Sequence, residues 1–231
     1  MELSGNNTGK NHLINIESLE FSYGADSFKL SVPRLTIHKA EKIAIIGPSG
    51  SGKTSLLNLI SGILLPQKGQ ISIESATVNQ LSDSDRRDYR ITNIGFIFQD
   101  FELLEYLNVQ DNILHPFRIT RALKLDGKAR ARANNLAEEL GIRDKMKRLT
   151  STLSQGEKQR TAICRALLTK PKLILADEAT GNLDPNNKLR ILEALFRSTD
   201  KHQATLLAVT HDHELLSRFD RVIDFKDYCL P

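Results

Sequence analysis

Apolar residues recur along this chain in two periods, and the switches between them predict its elements. After a polar, glycine- and asparagine-rich stretch (1–11) with the composition of a loose tail, Leu13, Ile14, Ile16, Leu19 and Phe21 mark a strand ending at Ser22-Tyr23-Gly24. Phe28, Leu30 and Val32 alternate with polar residues, and Leu35 and Ile37 do so again, which predicts two short antiparallel strands. Lys42–Ile46 (KIAII) is a compact apolar run with the character of a buried strand. A helix is expected over 54–61, closed by Gly62, with Pro66 and Gly69 in the following turn and strand character at Ile71 and Ile73. Ser82-Asp83-Ser84-Asp85 offers an N-cap to a short helix whose Arg86 and Arg87 are expected on a solvated face. Ile94–Phe98 is another strand, and it stops abruptly at Gln99-Asp100.

From Phe101 the texture changes. Val109–Leu114 and Lys128–Leu140 carry helical spacing and strand signals are scarce, so 100–165 is expected to be a mostly helical insertion in an α/β core made of 12–99 and 166–231. Its aromatics and leucines, Phe101, Leu103, Leu104, Tyr106, Leu107 and Phe117, are either core or a docking surface for a partner. Beyond it, Lys172–Ala176 and Leu206–Val209 are apolar runs typical of parallel strands buried on both faces. Asp184 can cap a helix beginning near Asn187, and Arg221–Phe225 predicts a last short strand.

Composition narrows the class without naming a chemistry. The 231 residues, 40% hydrophobic and 26% charged, suit a single globular unit with a substantial core. A net charge of +4, with neither a dense basic patch nor a recognisable motif, gives no reason to expect nucleic acid as a partner. Cys164 and Cys229 form neither a metal-ligand spacing nor a disulfide framework, which fits a reducing, cytoplasmic setting. No apolar run approaches the roughly 18 residues that would cross a bilayer, so a membrane role would have to come through a partner.

The chemistry begins at Gly47-Pro48-Ser49-Gly50-Ser51-Gly52-Lys53-Thr54, which satisfies G-x-x-x-x-G-K-[ST] directly after a predicted strand and at the start of a predicted helix. A glycine-rich turn there wraps successive amides around a phosphate, and the helix end adds its positive dipole. Lys53 would reach the β- and γ-phosphates, and the Thr54 hydroxyl would ligate Mg²⁺. Asp177, at the end of an apolar strand, is a second candidate for the Mg²⁺ shell, and Glu178 could orient or deprotonate an attacking water. Gln99, at the edge where open α/β sheets place ligands, is a candidate Mg²⁺ or water contact. His211, also past a strand end, could bind metal or, with Mg²⁺ already assigned, hydrogen-bond a γ-phosphate. Tyr23 either packs on its sheet or stacks on a nucleotide base.

Leu153-Ser154-Gln155-Gly156-Glu157 precedes an apolar-periodic helix, and Ser154 with Glu157 forms an S-x-x-E capping box. A helix start of Ser-x-Gly also presents a hydroxyl and bare amides to an anion. Because Lys53 already serves one phosphate site, a second suggests nucleotides shared between two subunits.

The set GPSGSGKT (47–54), Gln99, LSQGE (153–157), LILADE (173–178), GNLD (181–184) and His211 resembles the nucleotide-binding subunit of ABC transporters across essentially the whole chain. The wording of 47–62, 94–113 and 175–184 is similar to the subgroup of lipoprotein-releasing, macrolide-export and cell-division ATPases. The resemblance implies a P-loop core with an N-terminal antiparallel β subdomain and a helical subdomain. It further implies hydrolysis of ATP with Mg²⁺, and a head-to-tail homodimer sandwiching two ATP molecules. Tyr23 would stack on adenine, Gly47–Thr54 and Ser55 would hold the phosphates, and Ser154 and Gly156 would close over ATP held by the other copy. Glu178 would be the base, Asp184 an interface residue and His211 the switch histidine. Gln99 would couple the nucleotide state to a membrane subunit docked near it and the helical subdomain, placing the chain peripherally on the cytoplasmic face of the membrane. Export, lipoprotein release or mechanical transmission is the expected task. An importer subunit is the alternative, with a non-transport ATPase acting on ribosomes or DNA further behind.

Three departures from the family pattern stand out. Gln155 and Glu157 replace the third and fifth residues of the usual LSGGQ, and Ala179 stands where proline is common. Gln155 would be strained if its position requires positive φ. Glu157 would oppose a triphosphate unless it turns back into the capping box.

Overall fold

The computed structural model describes residues 12–24, 28–179 and 185–228. β1 (His12–Ser22) and β2 (Lys29–His38) pair antiparallel, and β1 also pairs with β4 (Lys68–Ile73), so that with β5 (Ala76–Thr77) they form a sheet of order β2-β1-β4-β5. The two short strands expected over 28–37 are one. Pro33 lies inside β2, between the pairs Glu17–Arg34 and Leu19–Val32, and β2 is the sheet edge, the position at which a strand tolerates proline. β1 shifts register against β4 between Glu17 and Glu20, and Ser18 in that interval has φ 50°.

The second sheet is parallel. β3 (Lys42–Ile46), β6 (Ile94–Ile97), β7 (Leu173–Asp177), β8 (Thr205–Val209) and β9 (Arg221–Asp224) run in the order β6-β7-β8-β3-β9. Period-2 alternation divides β7 and β8 between two cores. Leu173, Leu175, Leu207 and Val209 pack with β1, β2 and α1 (Lys53–Ile60), while Ile174, Ala176, Leu206 and Ala208 face a helical layer. The first core is built of isoleucine, leucine, valine and phenylalanine, whereas the second contains seven alanines: Ala133, Ala137, Ala166, Ala176, Ala179, Ala204 and Ala208.

α2 (Asp83–Asn93) is capped by the Ser82 hydroxyl, which accepts from the Asp85 amide. Arg86 is not on a solvated face. Its Nε donates to the Gly62 carbonyl at 3.0 Å, and Arg90 donates to the Ser61 and Gly62 carbonyls, so two guanidinium groups of α2 cover the C-terminal end of α1. Arg87, by contrast, is exposed and pairs with Asp83. Cations there complement the negative end of the same helix whose positive end faces the glycine-rich turn.

The helical layer comprises α3 (Val109–Leu114), α4 (Gly127–Glu139), α5 (Gln155–Leu167) and α6 (Pro185–His202). α5 runs unbroken across residues 165 and 166 and packs on β6. Gly95 makes this approach possible: a Cβ there would stand 2.4 Å from the Ala166 carbonyl oxygen. Of the insertion's aromatics and leucines, Phe101 is buried and Phe117 packs against the second core, whereas Tyr106 is 75% exposed.

Candidate functional site

The strand order assembles the site. β6, β7, β8 and β3 are successive neighbours, and their C-terminal ends deliver in one row Gln99, Asp177 with Glu178, His211, and the turn 47–52. That row is where an open parallel sheet presents groups to a ligand.

In the turn, Gly47, Gly50 and Gly52 all have positive φ. Gly52 is the N-cap of α1 at φ 92°, and a Cβ on it would stand 2.4 Å from Cζ of Phe28, so conformation and space both require glycine. Lys53 is buried and its Nζ donates to the Gly47 and Pro48 carbonyls at 2.9 and 2.7 Å, which draws the loop around the ammonium. Thr54 is exposed at the helix start, with its side chain beside the Asp177 carboxylate. Asp177 is 5% exposed and its Oδ1 has no hydrogen-bond partner among the described residues. Burial is the main cause that raises its pKa above the ordinary carboxylate value, with Glu178 adding to the rise and the Thr54 hydroxyl opposing it. A buried carboxylate oxygen without a donor, next to a threonine hydroxyl, suits a hard divalent cation, so these residues fit Mg²⁺.

Glu178 adopts φ 46°, held by its amide donating to the Val209 carbonyl at 3.1 Å. That backbone turns its side chain toward β8, where His211 Nε2 stands 2.6 Å from Glu178 Oε1. Lys188 of α6 pairs with Asp212 at 2.9 Å, tying the loop after β8 to the helical layer. A cavity of about 350 Å³ lined by Gly47, Pro48, Thr210, His211, His213 and Asp224 adjoins this pair.

Tyr23 is 62% exposed, and its hydroxyl shares a hydrogen bond with Ser55 Oγ at 3.0 Å, so the ring stands over the start of α1 rather than packing into the sheet. Its edge-to-face contact with Phe21, centroids 4.9 Å apart, fixes its tilt. Gln99 is exposed beyond β6. Ser154 is exposed at the N-cap of α5, and its side-chain hydrogen bonds stay within its own turn, with Glu157. Gln155 occupies the first helical position and is not among the residues with positive φ, so the glycine usual there is not needed for backbone reasons. Glu157 does turn back into the capping box. Asp184, with the rest of 180–184, lies outside the described residues.

One positioning residue escaped the sequence reading. Arg165 of α5 donates to the carbonyls of Phe101, at 2.6 Å, and Glu102, two consecutive left-handed residues that follow Gln99. Burial pushes its guanidinium down to about 10, so it remains charged at neutral pH. The available signal was a lone arginine inside the otherwise apolar run Ala162–Leu168. Arg165 also walls a cleft of about 240 Å³ with Phe96, Phe98, His115, Pro116 and Ile119.

Comparison with known proteins places this geometry. The family model described as ABC transporter matches residues 30–181. The ATP-binding protein YvcR of Bacillus subtilis, described as an uncharacterized ABC transporter component, is 39% identical over 198 residues, covering 86% of this chain and 76% of its own. The lipoprotein-releasing system ATP-binding protein LolD 2 of Caulobacter vibrioides is 36% identical over 215 residues, covering 92% and 93%. Among solved structures, a dimeric post-hydrolysis state of the ATP-binding cassette MJ0796 bound to ADP and Pi superposes with a TM-score of 0.81 at 28% identity, covering 91% and 93%.

Proposed function

This chain belongs to the ABC transporter family as its ATP-hydrolysing subunit, and from that premise we propose how its residues divide the work. Two copies bind Mg·ATP and close head to tail, each nucleotide lying between Gly47–Thr54 of one copy and Ser154 with Gly156 of the other. Tyr23 stacks on the adenine. Ser55, whose hydroxyl meets that of Tyr23, ties the base site to the phosphate helix. Lys53 neutralises the β- and γ-phosphates. Thr54, Asp177 and Gln99 hold Mg²⁺, which when bound shields the phosphate oxygens and stabilises charge on the leaving ADP. Glu178 orients the attacking water in line with the γ-phosphate and accepts its proton, while His211 exchanges the Nε2 hydrogen bond that it makes to Glu178 without nucleotide for one to the γ-phosphate. Asp184 completes the contact between copies. The observation that carries this reading is the juxtaposition, at one sheet edge, of the 2.6 Å His211–Glu178 contact with the buried Asp177 carboxylate, whose Oδ1 has no donor among the described residues.

The unit 100–165 transmits the nucleotide state and 12–99 with 166–231 hydrolyses, with Arg165 at their boundary. Among the described residues no helix is long and apolar enough to cross a membrane. A separate integral membrane subunit docks at the cleft beside Gln99 and Arg165, where Phe98 and Ile119 offer apolar surface. This holds the chain on the cytoplasmic face of the membrane. The similarity to the LolD relative favours export or lipoprotein release as the coupled task.

Glu178→Gln tests the assignment. It is expected to lower steady-state hydrolysis by about 100-fold or more, since general-base catalysis contributes roughly 10²–10⁴. It is also expected to preserve a Mg·ATP-dependent dimer in sedimentation. Hydrolysis at the wild-type rate refutes the role of Glu178, and absence of a nucleotide-dependent dimer refutes the shared site.

A further inference from the structure

Ser154 carries a single hydroxyl proton, and the structure shows where it is held. The hydroxyl donates to Glu157 Oε2 at 3.0 Å, and the same oxygen accepts the Ser154 amide at 2.8 Å. A carboxylate can only accept, so the direction of the hydroxyl bond is fixed. The serine oxygen in turn accepts the Glu157 amide at 3.4 Å. What Ser154 shows toward its surroundings is therefore oxygen lone pairs, backed by a carboxylate. That presentation repels a triphosphate, although Ser154 is exposed where a nucleotide would meet it.

We propose that Glu157 is a positioning residue that sets the nucleotide threshold of dimer closure by retaining the Ser154 hydroxyl proton until the partner's γ-phosphate takes it as a hydrogen bond. The inference rests on the reading that Ser154 meets ATP held by the other copy. It adds a residue with a direction of effect: the carboxylate competes with the γ-phosphate for one donor and repels it through charge.

The neighbourhood keeps Glu157 in this role. The Ser154 bonds hold its carboxyl below the ordinary carboxylate range, helped by the nearby Lys145 and Arg148, so it stays ionised at neutral pH. Lys145 Nζ lies 3.8 Å from Oε1, the oxygen that Ser154 does not use, and the same lysine pairs with Asp144 at 2.8 Å. The carboxylate is thus oriented from behind, with Oε2 left to the serine. Closing the dimer exchanges Ser154 O–H···Glu157 for Ser154 O–H···phosphate. The Ser154 amide can remain on Oε2, so α5 keeps its cap throughout.

Glu157→Gln isolates the competition. Glutamine has the same length and its amide oxygen can accept both Ser154 bonds, but a neutral acceptor holds a donor about half as strongly, and the charge facing the phosphate is removed. In the Glu178→Gln background, where hydrolysis does not drain the dimer, Glu157→Gln is expected to lower the ATP concentration at half-maximal dimerisation about fivefold, the scale of one weakened charge-assisted hydrogen bond. Binding of Mg·ATP to the dilute monomer, followed by a fluorescent nucleotide analogue, is expected to stay unchanged, which a general loosening of α5 would not produce. An unchanged or raised half-point in Glu157→Gln overturns the proposal. Ser154→Ala alone separates the two levels: if it leaves dimerisation intact, the shared-site reading falls and this inference with it. If Ser154→Ala abolishes dimerisation while Glu157→Gln is silent, only this inference falls.

Discussion

Replacing Arg165 with alanine removes a side chain that holds the backbone just after Gln99. Its guanidinium donates to the Phe101 and Glu102 carbonyls, whose residues sit at φ 63° and 48°. A hydrogen bond to a charged group contributes about 1.5–3 kcal/mol, so the pair is worth about 3–6 kcal/mol. Left-handed backbone at a non-glycine residue costs about 1–2 kcal/mol, and relaxing two residues recovers about 2–4. The difference leaves a net destabilisation of about 1–2 kcal/mol in Arg165→Ala, concentrated locally. The Phe101 amide donates to Phe98 and the Glu102 amide to Asp100, so the loop's own hydrogen bonds report its opening. Hydrogen exchange at these two amides is expected to accelerate about 5- to 30-fold, since 1.4 kcal/mol is tenfold. The melting temperature should fall by only a few degrees, as about 2–4 °C per kcal/mol is typical of a chain this size. Lysine, a point donor without the planar fork, is expected to recover one bond and give an intermediate rate. Exchange within twofold of wild type in Arg165→Ala would show that the left-handed pair is fixed by something other than this clamp.

Asp177→Asn is expected to act in opposite directions on the free and the loaded protein. Burial raises the Asp177 pKa, so the ionised form is disfavoured in the fold and opposes stability at neutral pH; that opposition fades as pH falls through the raised value. The nucleotide-free variant should therefore melt higher than wild type at neutral pH, with the gap closing on acidification. It should also lose the Mg²⁺-dependent part of the ATP-induced shift in melting temperature, and a lower melting temperature without nucleotide would contradict the sign. Tyr23→Ala is expected to raise the KM for ATP about tenfold at nearly constant kcat, since stacking on a base is worth about 1–3 kcal/mol. Tyr23→Phe should stay within about threefold of wild type because it keeps the ring and loses only the Ser55 bond. Equal effects of the two would assign the role to the hydroxyl.

What the sequence made legible were features whose cause is local. The P-loop, the apolar run ending at Asp177 and the Ser154–Glu157 capping box are each written in fewer than a dozen consecutive residues, and each appears in the structure where the pattern puts it. β2 was misjudged because Pro33 breaks a period without breaking a strand, and only the sheet order reveals that this strand is an edge. Arg86 and Arg165 were invisible for a different reason. Their carbonyl acceptors lie 24 and up to 64 residues away, and a donor's partner at such range is set by tertiary packing. Glu157 was the intermediate case, in which the local motif predicted the cap but not that the serine proton would be spent on it.

The uneven distribution of side-chain size between the two cores has a mechanical consequence. Large branched residues interlock the antiparallel sheet, the parallel sheet and the phosphate helix, and sliding one past another would force many rotamers to change at once. In the second core the seven alanines lie among larger residues such as Ile163, Leu167, Ile174 and Leu206, so helix and strand backbones can approach closely at the alanine positions. The chain is in this sense most tightly interlocked around the helix that follows the glycine-rich turn. The Lys188–Asp212 pair joins the start of α6 to the loop that carries His211, so helix and loop are held to one another.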